Sequence, residues 1–94
     1  MPRRFDSDPE KAKRNIAEHG VSFDEAAEVF DDPLSYTVED REHSSPDEVR
    51  FKTIGYSRQG KLLVVIHTET NDRPRLISAR PPTTHERQMY EEGL

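Results

Sequence analysis

Ninety-four residues suffice for one compact domain, expected to span 1–94, and are too few for two. With no cysteine, the chain can form no disulfide, no thiolate zinc site and no cysteine nucleophile. Residues 1–48 carry 6 basic and 14 acidic residues, net −8, whereas residues 49–94 carry 8 and 5, net +3; an overall charge of −5 is therefore compatible with an acidic outer surface and a basic site in one molecule.

Leu, Ile, Val and Phe together number 19 of 94. So small an apolar fraction predicts a small core, and a partner or second copy is expected to cover part of the surface. The longest apolar run, Leu62 to Ile66, is too short to cross a membrane, and no apolar stretch follows Arg3 and Arg4 as a signal peptide would require. A cytoplasmic protein is the expectation.

Arg3 to Asp6 reads as a short edge strand. Asp8-Pro9 then opens a helix over Glu10 to His19, since Asp accepts from first-turn amides and Pro suits the first helical position; Gly20 closes it. Lys11, Asn15 and His19 share a helical face that reads as exterior or as an RNA contact. Ser22 to Glu25 matches a capping box, followed by the stripe Phe23, Ala26, Ala27, Phe30 and a stop at Asp31-Asp32-Pro33. Strand-like runs follow at Leu34–Glu39, Val49–Tyr56, Leu62–Glu69 and Arg75–Arg80, with a polar loop over Asp40–Glu48 and hairpin signals at Arg58-Gln59-Gly60 and Asn71-Asp72. Thr83 to Glu86 offers a second capping box, and a last helix runs to about Glu92.

These elements predict an α+β domain: two N-terminal helices on one face of a four-stranded antiparallel sheet, with a short C-terminal helix. Strict alternation from a two-residue turn at Asn71-Asp72 puts His67, Glu69, Ser78 and Arg80 on one open face and Leu62, Val64, Ile66, Ile77 and Ala79 under the helices. The burial cost of cations favours the register in which Arg50 and Lys52 join the open face.

Such a face holds what metal-independent RNA cleavage needs. His67 or Glu69 serves as the base for the ribose 2′-hydroxyl, while Arg80 and Arg50 stabilise charge on the phosphate. Lys52, Arg75 and Arg87 supply further cationic contacts, and Tyr56 or Tyr90 a stacking ring. The competing reading is an ordinary solvated strand face with cross-strand ion pairs. The histidines at 19, 43, 67 and 85 lack metal-ligand spacing, so neither metal nor cofactor is expected.

The chain resembles the BrnT family of type II toxins. The resemblance rests on Phe5-x-x-Asp8-x-x-Lys11-x-x-x-Asn15, His19-Gly20-Val21-Ser22-Phe23-x-Glu25-Ala26, Phe30-Asp31-Asp32-Pro33 and Arg50-Phe51. It continues through Ile54-Gly55-x-Ser57, Leu62 to Thr68, Ile77-Ser78-Ala79-Arg80 and Glu86-Arg87-x-x-Tyr90-Glu91. It departs at Ser7, where an aromatic is usual, and at Glu18, where a basic residue is common. The resemblance implies a RelE-like fold and a ribonuclease that arrests translation. It also implies a BrnA-type antitoxin partner, in a heterotetramer, whose ribbon-helix-helix part carries the complex to operator DNA. The alternative is a noncatalytic module that only holds such a repressor.

Overall fold

The computed structural model describes residues 5–70 and 73–93. In chain order it contains β1 (Asp6–Ser7), α1 (Pro9–His19), α2 (Phe23–Ala27), a 3₁₀ turn over Glu28–Asp31, β2 (Tyr36–Glu39), β3 (Phe51–Tyr56), β4 (Leu62–Thr70), β5 (Arg73–Arg80) and α3 (Thr84–Glu92). Among the described residues the sheet has five strands in the order β1-β5-β4-β3-β2. It is not the four-stranded antiparallel sheet expected: β1 pairs parallel to β5, Asp6 opposite Arg75, while the other pairs are antiparallel. The α+β class stands, with a mixed sheet.

The helix ends follow local chemistry. Asp8 accepts from the Glu10 amide at 3.0 Å with Pro9 at the first helical position, and Gly20 closes α1 at φ 70°. Ser22 caps α2 by accepting from the Glu25 amide at 3.1 Å. The Glu25 carboxylate does not complete a capping box; it is buried and accepts from the Ser57 hydroxyl at 3.0 Å, tying α2 to the β3–β4 turn. The second helix is α-helical only to Ala27 and tightens into the 3₁₀ turn before Asp32-Pro33. Thr83 and Glu86 form a full capping box on α3.

Both faces of the sheet are covered. Against α1 and α2 lie Leu63, Val65, Leu76 and Ala79, with Phe23, Ala26, Ala27 and Val29 above them. On the other face Ile54, Leu62, Val64 and Ile66 pack with Tyr36, Ile77 and the α3 residues Met89 and Tyr90. On β4 the assignment of faces therefore reverses what alternation predicted, and Ile77 on β5 goes with it, whereas Ala79 lies under the helices as expected. A bulge explains Arg80: His67 lies opposite Leu76 as expected, but Ile66 lies opposite Ser78, so Ile77 is the extra residue and Arg80 pairs with Val64. That one-residue slip carries Arg80 to the face opposite His67. The turn residues Asn71 and Asp72 lie outside the described residues.

At Gly55 the 3₁₀ turn approaches the sheet closely. A Cβ there would stand 3.1 Å from the Val29 carbonyl oxygen and 3.2 Å from the Cβ atoms of Val29 and Ser35. Gly55→Ala is expected to cost about 1–3 kcal/mol by overpacking, read as a lower midpoint in chemical denaturation; an unchanged midpoint would mean the turn retreats freely.

Candidate active site

The bulge places Arg80 beside Lys52, because Ile66 lies opposite both Lys52 on β3 and Ser78 on β5 while Arg80 sits one pleat further along. Facing these cations is Glu86 in the first turn of α3. Arg80 donates from both terminal nitrogens to the Glu86 carboxylate, at 2.7 and 2.8 Å, and Lys52 Nζ adds a bond of 3.1 Å. The Thr83 amide donates to the same carboxylate at 2.8 Å. The Arg80 hydrogen bonds hold the Glu86 carboxyl far below the usual carboxylate range against the opposing effect of burial. Arg80 is in turn held above its ordinary value by Glu86, with Asp40 contributing at longer range.

The loop between β2 and β3 closes the other side. Ser44 pins it: its hydroxyl donates to the Asp40 carbonyl at 2.7 Å and accepts from the Arg50 amide at 2.8 Å. Asp40 and Arg50 are also joined through the main chain at 2.7 Å. Held this way, the loop brings His43 Nδ1 to 2.8 Å from Asp40 Oδ2, the Asp40 side chain 11% exposed and the imidazole 57%. Arg50 donates through Nε to Glu48 at 2.9 Å, and among the described residues its two terminal nitrogens make no hydrogen bond.

Between loop and sheet lies a cavity of about 290 Å³, lined by Arg50, Lys52 and Arg80, by Asp40, Glu42, His43 and Glu86, and floored by Ile66, Ile77 and Ser78. Its three cations face three carboxylates, so it is charge-balanced rather than basic. An anion entering it displaces Glu86 from Arg80 or takes the open edge of Arg50. Among the described residues no group of three or more His, Asp or Glu side chains converges closely enough to hold a metal ion.

The sequence-predicted residues divide into separate groups. Arg80, Lys52 and Arg50 line one cavity. His67 does not share their face. It lies under the helices at 1% exposure, with Nε2 2.8 Å from Thr53 Oγ1, its ring edge-on to Phe30 and stacked on Phe51. Glu69 is exposed further along β4, beside Asp47, Glu48 and Phe51. Arg75 is exposed on β5, between Asp6 and Thr68.

Tyr56 and Tyr90 meet edge-on, ring centroids 5.4 Å apart, and Tyr90 donates to Asp32 at 2.6 Å. Burial and that bond push the Tyr90 phenol up to about 12. Burial opposes ionisation of Asp32, but the Tyr56 amide, the Tyr90 hydroxyl and the Leu34 amide outweigh it and lower its carboxyl. Arg87 is exposed on α3 near Tyr56. Asn15 is not on an exterior face; it is buried between α1 and β5.

Sequence reasoning missed His43, Asp40 and Glu86 as cavity residues. The available signal was a histidine three residues after an aspartate in a loop closed by an arginine; Glu86 was legible only as a helix cap.

Fold and cavity together define a small α+β domain, helices on both sheet faces, with a charge-balanced cleft rimmed by a His–Asp pair. The chain belongs to the family described as ribonuclease toxin, BrnT, of type II toxin-antitoxin systems, whose family model matches residues 8–86. Membership in such a system implies an antitoxin partner. The fold is similar to that of the crystal structure of the Brucella abortus ribonuclease toxin, BrnT, at 20% identity and a TM-score of 0.63, covering 85% of this chain and 96% of that one. No curated protein matches the chain.

Proposed function

We propose that residues 1–94 act as one RelE-like toxin domain, a cytoplasmic, metal-independent endoribonuclease that cuts RNA at the Arg80 cavity and so blocks translation. A BrnA-type antitoxin neutralises it in a heterotetramer and carries the complex to operator DNA. The observation that supports cleavage is the convergence of Arg50, Lys52 and Arg80 with the His43–Asp40 pair around one cavity.

The proton carrier in this reading is His43 rather than His67 or Glu69. Asp40 holds Nδ1, so Nε2 is the nitrogen left to act, the arrangement by which a carboxylate fixes an imidazole tautomer. Nε2 takes the proton of the ribose 2′-hydroxyl, the 2′-oxygen bonds to phosphorus, and the bond from phosphorus to the 5′-oxygen breaks. The leaving 5′-oxygen takes a proton from water or from the imidazolium, giving a 2′,3′-cyclic phosphate and a 5′-hydroxyl. Arg80 and Arg50 meet the charge that grows on the non-bridging oxygens, with Lys52 beside them.

Induction of the chain alone in bacteria is expected to stop growth and fragment RNA, and co-expression of the antitoxin to restore growth. In vitro, cleavage should persist in EDTA and leave 2′,3′-cyclic ends. His43→Gln is expected to slow cleavage roughly 100-fold with the thermal midpoint little changed, since His43 is an exposed loop residue. Full activity in that variant would remove His43 from the mechanism, and dependence on added metal would overturn the mechanism itself. Intact RNA beside a stable complex with a DNA-binding partner would identify a noncatalytic module instead.

A further inference from the structure

A second cavity, of about 410 Å³, lies at the end of the sheet where the β3–β4 turn, the end of α1 and the start of α3 meet. Its floor is apolar, with Val21, Leu62 and Leu63 all buried. Its rim carries His19, Lys61 and Arg87, and no acidic residue lines it, in a chain that holds 19 acidic residues against 14 basic ones. His19 has Glu18 at 3.9 Å, but among the described residues Lys61 and Arg87 form no ion pair. Two lining positions are glycines with open space beside them: Gly20 and Gly60, at φ 70° and 79°, have nothing within 4 Å of where a Cβ would stand.

Tyr56 stands at this cavity with 38% of its surface exposed. The ring is held in place, edge-on to Tyr90 at 79°, and Tyr90 is itself tied to Asp32. A fixed, exposed aromatic ring beside unpaired cations and an apolar floor is the chemistry that takes a nucleobase and its phosphate. The linings of the two cavities are adjacent along the chain. Arg80 and Glu86 line the first and their chain neighbours Pro81 and Arg87 line the second. Tyr56 is four residues from Lys52 along β3, about 13 Å at the rise of a strand.

We propose that this second cavity binds one nucleotide of single-stranded RNA next to the phosphodiester held at Arg80, with Tyr56 stacking on the base and Lys61 and Arg87 taking the adjoining phosphate. This inference rests on the reading of the Arg80 cavity as the cleavage site. It gives the RNA a direction of travel, across Pro81-Pro82 and the first turn of α3, and makes the second cavity a determinant of which base flanks the cut.

The test is titration of the full chain with a 2′-O-methyl tetranucleotide, which cannot be cleaved, followed by amide resonance shifts. Shifts are expected at Gly20, Gly60, Lys61 and Arg87, and Tyr56→Leu and Lys61→Ala are each expected to weaken binding about tenfold. Tyr56→Phe keeps the stacking surface and should bind like the parent. Shifts confined to the Arg50, Lys52 and Arg80 cavity, or affinities unaltered in Tyr56→Leu and Lys61→Ala, would overturn the subsite. So would inorganic phosphate reproducing the full pattern of shifts, which would make the cavity a phosphate site with no base recognition. Because the probe lacks the attacking hydroxyl, its binding survives failure of the cleavage mechanism, and a parent chain that cleaves RNA while ignoring the probe overturns the subsite alone.

Discussion

Asn15→Ala is expected to lower the unfolding free energy by about 3 kcal/mol and the thermal midpoint by roughly 15 °C. One side chain here replaces a missing strand. Among the described residues β1 pairs with β5 only at Arg75 and Leu76, and beyond that point no strand lies beside the outer edge of β5. Asn15 supplies the partners instead: Nδ2 donates to the Ala79 carbonyl at 2.9 Å and Oδ1 accepts from the Ala79 amide at 3.0 Å. The same Nδ2 donates to the Val21 carbonyl at 2.9 Å, which fixes the chain as it leaves α1.

Because Asn15 is 4% exposed, alanine would leave three main-chain groups buried without these partners, each costing on the order of 1 kcal/mol or more. Asn15→Asp should be worse than alanine at neutral pH, since it keeps the acceptor, loses the donor and buries a charge. Circular dichroism melts of the parent and both variants would check this ordering. A fall of less than about 4 °C for alanine, equivalent to less than about 1 kcal/mol, would mean that water replaces the side chain.

The helix ends were legible in the sequence because each depends on a few neighbouring residues. Asp8-Pro9, Ser22, Gly20 and Thr83 with Glu86 all do locally what their types predict. The β3–β4 turn was legible for the same reason, with Gly60 at positive φ. Face assignment on β4 was not, because that strand is apolar on both sides and alternation alone does not say which side the N-terminal helices cover; the bulge at Ile77 then leaves Ala79 and Arg80 on the sides expected for them. Two signals pointed that way: Leu62 to Ile66 is continuously apolar, the mark of a strand covered on both faces, and Leu76-Ile77 places two apolar residues in succession.

With α3 on the second face, both signals are satisfied and Arg80 emerges next to Lys52 instead of His67. Asn15 and His43 were illegible for a different reason. Their roles come from contacts between elements, Asn15 with β5 across 64 residues of sequence and His43 with a cavity whose far wall is α3. No periodicity encodes either.

Arg80→Ala is expected to cost about 3 kcal/mol of stability as well as 100- to 1,000-fold in RNA cleavage, so that substitution alone cannot separate structure from chemistry. The stability loss comes from Glu86. Its side chain is 5% exposed and takes two of its bonds from Arg80, so removing the guanidinium leaves a buried carboxylate with only Lys52 and the Thr83 amide. The discriminating variant is Arg80→Ala combined with Glu86→Gln, which removes the uncompensated charge. The double variant is expected to be more stable than Arg80→Ala and to remain inactive. Recovery of cleavage along with stability would show that Arg80 serves only to hold α3.

Acid titration gives an independent check on the same pair. A carboxyl whose folded pKa is depressed contributes stability above its unfolded pKa, about 4.3 for Glu, and that contribution is lost as pH falls toward the folded value. The midpoint advantage of the parent over Glu86→Gln should therefore be constant from about pH 7 to 5 and shrink below about pH 4. An advantage that persists undiminished in acid would mean that Glu86 acts through its capping bonds to α3 and not through its charge on Arg80.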